Sequence, residues 1–239
     1  GNPFPLQRPD FAPVTKEKTD CHVAALLAMT VVDGTPVLKL MTLPSGEGIY
    51  KGDVLMYYHM TVAGLERDLP ICPLNENLSI AGFVIFGDQE LTVACARELL
   101  ARAPEYDYII TAEAKGIPLA HEMARQAGDK KYILARKGPK LYMRDIFSVT
   151  VNSITTAKEQ KLYLDGADAA LMKGKKILVV DDVISTGESL RALEALVEKA
   201  GGEICGRMAI LAEGDAQERK DLIYLEKLPL FKPDGTVLG

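Results

Sequence analysis

Changes in the spacing of hydrophobic and polar residues divide this chain into predicted helices and strands. Residues 88–103 carry leucine, valine and alanine at helical spacing, with Asp88 placed to cap the first turn, and residues 119–126 repeat that spacing. Short apolar runs, typical of strands buried on both faces, occur at 106–111, 132–135 and 177–180. Strands that alternate with helices predict an α/β fold with a parallel sheet flanked by helices, and such sheets bind ligands at the carboxyl ends of their strands.

The beginning of the chain follows a different pattern. Residues 1–20 hold prolines and charges without periodicity, which predicts an arm rather than a packed element. Asp33-Gly34 separates two apolar runs, which is a strong hairpin signal, and a further strand is predicted over 54–58. We therefore expect an arm and a β-rich extension over 1–75, followed by one α/β domain over 76–239.

Composition narrows the function classes. A net charge of −5 over 239 residues argues against non-specific nucleic-acid binding, which needs a basic face. No apolar run reaches the roughly 18 residues of a membrane span, and the first residues lack the basic start and apolar core of a signal peptide. No Cys-x-x-Cys pair occurs, so neither a zinc site nor a disulfide scaffold is indicated by the scattered residues Cys21, Cys72, Cys95, Cys205, His22, His59 and His121. We expect a cytoplasmic protein without membrane partners.

The most specific stretch is 177–190, where a predicted strand ends in Asp181 and Asp182 and a loop leads into a helix. Backbone N–H groups and hydroxyls at the positive end of a helix bind phosphate readily. Carboxylates beside them suit sugar hydroxyls or a hydrated Mg²⁺ ion. The spacing fits neither a Walker loop nor a dinucleotide fingerprint. The stretch therefore predicts a site for a phosphorylated sugar, with the phosphate on Ser185, Thr186, Gly187, Glu188 and Ser189.

A second loop, over 111–118, also joins a predicted strand to a predicted helix. Its small residues would expose N–H groups to a second anion, and Lys115 would add a charged donor. Pyrophosphate is the natural candidate, although an ordinary β–α turn explains the segment equally well when it is taken alone. The residues concerned are Glu113, Ala114, Lys115 and Gly116.

Residues 177–189 consist of four apolar residues, two acids, two apolar residues, a small residue and Thr-Gly-x-Ser. This pattern resembles the phosphoribosyl pyrophosphate motif of type I phosphoribosyltransferases, in particular of their purine branch. The resemblance implies the type I phosphoribosyltransferase fold over 76–239, with 1–75 contributing to a hood. It makes Asp181 and Asp182 ligands of the ribose hydroxyls and of Mg²⁺, which they would reach through substrate or water. Relatives commonly act as homodimers, and many hold a non-proline cis peptide in the pyrophosphate loop, here expected at Ala114–Lys115.

Residues 135–162 open with cations and then alternate apolar and polar positions, which predicts a two-stranded flap. A solvated basic turn is the alternative for the cations alone. The segment resembles the mobile catalytic hood of the family: Arg-Lys-x-x-Lys is similar to adenine enzymes, whereas 152–156 with Gln160 is similar to xanthine enzymes. The resemblance assigns the neutralisation of the leaving pyrophosphate to Arg136, Lys137 and Lys140.

The purine base would lie beneath the hood. Residues 80–86 resemble the hood strand of xanthine enzymes, so that Phe83 or Phe86 would stack on the base, although core packing suits each phenylalanine equally well. Glu213 would form the opposite wall.

Three positions leave the acceptor base open among adenine, hypoxanthine, guanine and xanthine. Ser185 stands where hypoxanthine-guanine enzymes carry an acid, and Thr155 stands near the flap glutamate of adenine enzymes. Gly214 occupies the place of a lysine in xanthine enzymes. The proton-transferring carboxylate of these relatives therefore has no clear counterpart here.

The resemblance implies transfer of ribose 5-phosphate from phosphoribosyl pyrophosphate to a purine base, which gives a nucleoside monophosphate and pyrophosphate in purine salvage. Residues 114–120 also resemble the purine-operon repressor, whose related domain senses phosphoribosyl pyrophosphate without catalysis. Such a sensor needs a DNA-reading module, and the first 75 residues show no clear recognition helix. A non-catalytic sensor is therefore the alternative to the enzyme.

Overall fold

The computed structural model describes residues 27–32, 35–40, 56–152 and 159–238. The chain divides into two compact units, Gly1–Asp53 and Val54–Gly239. The predicted arm over 1–20 lies outside the described residues, and the functional division at residue 75 stays a prediction.

The smaller unit contains the predicted hairpin. Strands β1 (Leu27–Val32) and β2 (Thr35–Leu40) pair antiparallel, with Val32 opposite Thr35, and the connecting residues 33–34 lie outside the described residues. The hairpin prediction is confirmed, whereas the proposed contribution of this region to a hood stays a prediction.

The larger unit consists of strands, α-helices and a 3-10 turn. It runs through β3 (Tyr57–Val62), β4 (Leu65–Asn75), β5 (Leu78–Ala81), α1 (Gln89–Leu100), β6 (Tyr108–Ala112), α2 (Gly116–Ala127), β7 (Ile133–Ala135), β8 (Phe147–Asn152), β9 (Glu159–Leu164), α3 (Gly166–Met172), β10 (Lys176–Ile184), α4 (Glu188–Lys199), β11 (Glu203–Glu213), a 3-10 turn (Gly214–Glu218), β12 (Ile223–Leu228) and β13 (Leu230–Phe231).

A five-stranded parallel sheet in the order β12-β11-β10-β6-β7 forms the centre of this unit. On β10, Leu178 and Val180 face a core that α1 and α2 cover, whereas Ile177 and Val179 face a second core that α3 and α4 cover. Because successive side chains of a strand point to opposite faces, burial on both sides explains the uninterrupted apolar run. The predicted α/β architecture is confirmed.

Several boundaries differ from the sequence prediction, and the strand predicted over 54–58 runs over Tyr57–Val62 as β3. Helix α2 begins at Gly116 rather than at residue 119, because Pro118 falls in the first turn, where backbone N–H groups have no partner within the helix. Strand β10 does not end at the two acids but continues to Ile184, because its pairing with β11 extends to Ile184 opposite Ala212. The N-cap prediction for α1 is confirmed, since Asp88 accepts a hydrogen bond from the backbone N–H of Leu91 at 3.1 Å.

A second, antiparallel sheet has the order β13-β5-β4-β3. Ala63 and Gly64 turn β3 into β4, both with positive φ, as a two-residue hairpin turn requires. Arg67 of β4 forms an ion pair with Asp88, the N-cap of α1, with its Nε 2.6 Å and its Nη2 3.0 Å from the carboxylate oxygens. This ion pair fastens the smaller sheet to the helix that follows it.

The predicted two-stranded flap is confirmed as the antiparallel pair β8 and β9. Arg136 and Tyr163 exchange backbone hydrogen bonds of 2.9 Å, which joins β9 to the end of β7. Residues 153–158, which hold most of the stretch that resembles xanthine enzymes, lie outside the described residues. None of the helices in the described part of the chain is long and apolar enough to cross a membrane.

Candidate active site

The two predicted anion loops lie side by side at the carboxyl edge of the central sheet. They follow β6 and β10, which are neighbouring parallel strands. Lys115 of the first loop places its Nζ 2.8 Å from Oδ2 of Asp182, whose side chain is 4% exposed. The Lys115 ammonium also donates to the backbone carbonyl of Phe83 at 3.4 Å. The sheet therefore brings together the cation of one loop and a buried acid of the next strand.

Gly116 permits this close approach. A Cβ on residue 116 would lie 2.2 Å from Oγ1 of Thr111 and 2.9 Å from Oδ1 of Asp181, and real Cβ atoms do not come so near to other atoms. Thr111 is fully buried, and its hydroxyl has no hydrogen-bond partner among the described residues. Only glycine lets the first loop pass this close to the carboxylate of β10. The cis peptide of this loop lies at Glu113–Ala114, one bond before the expected position.

Asp181 and Asp182 form a pair of carboxylates with different surroundings. Burial raises the pKa of Asp181 to about 7, and the neighbouring charge of Asp182 adds to the effect. Oδ1 of Asp181 accepts a hydrogen bond of 2.9 Å from the backbone N–H of Asp182. Asp182 pairs with Lys115 instead. Asp181 thus lines the cavity of the loop after β10, whereas Asp182 is buried against Lys115.

The predicted phosphate loop surrounds a cavity of about 240 Å³. Gly187, in a left-handed conformation at φ 73°, forms the N-cap of α4, so the first N–H groups of that helix face the loop. Arg191 donates from Nη2 to the carbonyl of Thr186 at 3.0 Å, which holds the loop from the helix side. The cavity lining includes all five predicted residues: Ser185, Thr186, Gly187, Glu188 and Ser189.

The two carboxylates offer the oxygen ligands that Mg²⁺ prefers, although Oδ2 of Asp182 is already occupied by the Lys115 ammonium at 2.8 Å. In the part of the chain that the structure describes, no three His, Cys, Asp or Glu side chains cluster as a metal site would need. The site therefore suits a Mg²⁺ ion that is coordinated mostly by substrate oxygens and water, with few ligands from the protein.

Glu113 connects the first loop to the start of the flap. Its Oε1 lies 3.4 Å from Nη2 of Arg136, and its Oε2 accepts a hydrogen bond of 3.1 Å from the backbone N–H of Lys137. The backbone N–H of Glu113 donates to the carbonyl of Ala135 at 2.9 Å. Arg136 is thus anchored beside the predicted pyrophosphate loop. Ala114, which is exposed, accepts the first hydrogen bond of α2 from Ile117.

The other two predicted cations are placed less tightly. Lys137 is exposed and Lys140 is half-buried, and within the described ranges no ion pair joins either ammonium to the two loops. Lys140 contacts Met143 through its backbone N–H, 3.4 Å from the sulfur. Both lysines lie on the connection between β7 and β8, near the anchored Arg136.

The three candidates for the base site are placed differently. The ring of Phe83 is 5% exposed and belongs to the core, so the phenylalanine presents its carbonyl to Lys115, whereas Phe86 is 50% exposed. Glu213 ends β11, where burial raises the pKa of its carboxyl against the opposing charge of Lys115. Phe86 and Glu213 are therefore the accessible candidates.

One residue near these loops, Arg219, was missed in the sequence, and it places Nη1 3.4 Å from the Cβ position of Gly187. Thr111, the first residue of the predicted second loop, lies against Gly116, as its place at the end of a strand suggests. Arg219 lies outside every recognisable motif and reaches the loop only through the fold.

Comparison with known proteins gives concordant results. Residues 87–229 match the family model described as "Phosphoribosyl transferase domain". The hypoxanthine/guanine phosphoribosyltransferase of Methanococcus voltae is 32% identical over 162 residues, which cover 66% of this chain and 81% of that protein. The adenine phosphoribosyltransferase of Rubrobacter xylanophilus is 34% identical over 122 residues, 51% of this chain and 63% of that protein.

Among solved structures, the adenine phosphoribosyltransferase of Thermoanaerobacter pseudethanolicus has a TM-score of 0.56. It is 21% identical, and the match covers 66% of this chain and 95% of that one. At this identity the likeness concerns the fold.

Proposed function

The chain belongs to the phosphoribosyl transferase domain family, and we propose that it transfers ribose 5-phosphate from phosphoribosyl pyrophosphate to a purine base, giving a nucleoside monophosphate and pyrophosphate in purine salvage. The relatives named above are hypoxanthine/guanine and adenine phosphoribosyltransferases, which favours the enzyme over the non-catalytic sensor. The observation that carries the proposal is the contact of Lys115 with Asp182, because it unites two anion loops at one sheet edge.

The spacing of the two loops suits a substrate with a phosphate at one end and a pyrophosphate at the other. The helix N-terminus at Gly187 would hold the 5′-phosphate, and Asp181 with Asp182 would accept hydrogen bonds from the ribose hydroxyls. Lys115 and the N–H groups around Gly116 would hold the pyrophosphate. Mg²⁺ bound with the substrate would supply further charge neutralisation on the pyrophosphate oxygens.

Departure of pyrophosphate leaves positive charge on the ribose C1 carbon, in an oxocarbenium-like state. Cations near the departing group lower the barrier, because negative charge accumulates there as the bond breaks. Lys115 and the flap residues Arg136, Lys137 and Lys140 would take this role. A flap that closes over the site would also exclude water, which competes with the base as nucleophile.

The acceptor base would bind between the smaller sheet and the end of β11. Phe86 offers a half-exposed ring for stacking, and the raised pKa of Glu213 suits a carboxyl that exchanges a proton with the base. The candidate acceptors are adenine, hypoxanthine, guanine and xanthine. Phe83 would act through its carbonyl rather than through its core-packed ring.

We also propose that the chain acts as a cytoplasmic homodimer and that residues 1–75 contribute to the hood. Cys72, Cys95 and Cys205 are free thiols, which suits a reducing compartment. Light scattering tests the dimer directly.

The proposal is tested by turnover of phosphoribosyl pyrophosphate and Mg²⁺ with adenine, guanine, hypoxanthine, xanthine and, as a non-purine control, orotate. We expect at least one purine to yield nucleotide and pyrophosphate in equal amounts. A wild-type protein that binds phosphoribosyl pyrophosphate but converts none of the purines would contradict the enzyme and favour the sensor.

A further inference from the structure

We infer that Arg219 is a positioning residue for the 5′-phosphate, acting from behind the Gly187 turn. This inference rests on the proposed function, because it concerns the same phosphorylated sugar. It adds a residue that lies 32 positions beyond Gly187 in sequence and outside the motif of that loop.

The guanidinium of Arg219 is oriented by one carboxylate. Its Nε lies 3.0 Å from Oδ1 of Asp221 and its Nη2 lies 2.8 Å from Oδ2, which is a two-point pairing. Such a pairing fixes the plane of the guanidinium and directs Nη1 away from Asp221. Nη1 is the atom that lies 3.4 Å from the Cβ position of Gly187. The geometry therefore points one N–H edge at the turn that begins α4.

Two further charged side chains lie beside this pair. Glu194, on α4, lies 3.9 Å from Nη2 of Arg219 and also pairs with Arg207 of β11. Arg207 in turn lies 3.4 Å from Asp221. The side chain of Arg219 is 30% exposed, so its charge is only partly screened by solvent. The network connects the phosphate loop helix, the neighbouring strand and the segment after the 3-10 turn.

Arg219 and Arg191 contribute to the loop in different ways. Arg191 donates to the carbonyl of Thr186 and thereby fixes the loop backbone. Arg219 meets the loop at Gly187, where the N–H groups of α4 begin. A positive charge behind these N–H groups adds to their attraction for a dianion and favours the phosphorylated over the unphosphorylated sugar. The residue acts through the loop, so its effect is expected on binding rather than on the chemical step.

The test is calorimetric titration of ribose 5-phosphate, phosphoribosyl pyrophosphate and pyrophosphate into wild-type protein, Arg219→Gln and Arg207→Gln. We expect Arg219→Gln to weaken both sugar phosphates about tenfold. It should leave pyrophosphate binding and the kcat at saturating phosphoribosyl pyrophosphate within about twofold of wild type. Arg207→Gln is the matched control, since it removes the same charge from the same network without a contact to Gly187 among the described residues; its affinities should stay at the wild-type level.

Arg219→Lys keeps the charge but not the two-point pairing, and it should lose less affinity than Arg219→Gln. Equal ribose 5-phosphate affinity in wild type and Arg219→Gln, or an equal loss in Arg207→Gln, would overturn the inference while leaving the proposed function intact. A lysine variant weaker than the glutamine variant would also overturn it. Wild-type protein that binds neither sugar phosphate would overturn the proposed function and this inference together.

Discussion

Lys115 and Asp182 join the two anion loops, with Nζ of the lysine 2.8 Å from Oδ2 of the aspartate. Asp182 is nearly inaccessible, whereas Lys115 is 45% exposed and reaches solvent beyond the pair. The lysine can therefore neutralise the acid and still reach the solvent side, where the proposed pyrophosphate would bind. Without the lysine, a buried carboxylate would lose its counter-charge at the centre of the site.

Replacing Lys115 by glutamine should affect both stability and binding. We expect a loss of about 1–2 kcal/mol in the free energy of unfolding, less than for a fully buried pair because the lysine is partly solvated. Pyrophosphate affinity should fall at least about tenfold. Thermal melts and calorimetry measure the two effects. In Lys115→Gln/Asp182→Asn the melting temperature should recover and the affinity should not; recovery of both would show that the lysine has no role in binding.

Gly116→Ala tests the close approach of the loops. The new methyl group would meet Thr111 and Asp181, so we expect a loss of about 2–3 kcal/mol by overpacking, seen as a lower denaturation midpoint in urea. Gly138→Ala is the matched control, because nothing lies within 4 Å of its Cβ position. Thr111→Ala in the Gly116→Ala background should restore part of the loss. If the two glycine variants have equal midpoints, the described packing is wrong.

The local structure of the candidate site was predictable because it depends on neighbouring residues in sequence. The apolar run before Asp181 and the small residues around Gly187 are sufficient to predict a strand, a loop and a helix, whereas phosphate binding by the loop stays a prediction. The meeting of Lys115 with this loop followed from a general rule, since parallel strands end at one edge of the sheet.

Other features depend on tertiary contacts. The Ala63-Gly64 turn escaped prediction because alanine rarely adopts the positive φ of 50° that it has here. Phe83 and Phe86 are three residues apart and equivalent as sequence, yet one ring is in the core and the other faces solvent. Arg219 reaches Gly187 only because β11 and the following turn return the chain to α4.

The two phenylalanines give a paired prediction for the base site. Phe86→Ala should raise the KM for the purine base about three- to tenfold through lost stacking, with an unchanged melting temperature. Phe83→Ala should instead lower the free energy of unfolding by about 3–5 kcal/mol, as truncation of a core aromatic does. Steady-state kinetics and thermal melts separate the two variants. An unchanged KM in Phe86→Ala would remove that ring from the proposed base site.

Glu122 gives a pH-dependent prediction. Hydrogen bonds from Arg125 lower the pKa of Glu122 to about 2, and Gln126 adds to the effect against the opposing influence of burial. A lowered pKa stabilises the folded state at pH values above the unfolded pKa, near 4.5, and this contribution is lost as pH falls toward 2.

Glu122→Gln should therefore be less stable than wild type at pH 7, by about 1–2 kcal/mol. The difference should shrink between pH 4.5 and pH 2, where wild-type Glu122 takes up its proton. Denaturant melts across this range measure the effect. A difference that stays constant with pH would contradict the assigned ion pair.

The most direct test of the central claim is calorimetric titration of phosphoribosyl pyrophosphate with Mg²⁺ into wild-type protein and into Asp181→Asn/Asp182→Asn. Asparagine keeps the size of both side chains, and circular dichroism checks that the variant is folded. We expect one bound phosphoribosyl pyrophosphate per wild-type chain and a loss of binding in the variant, because the ribose hydroxyls and the metal lose their charged acceptors. Equal affinity in both proteins would contradict the assignment of this sheet edge as the phosphoribosyl pyrophosphate site.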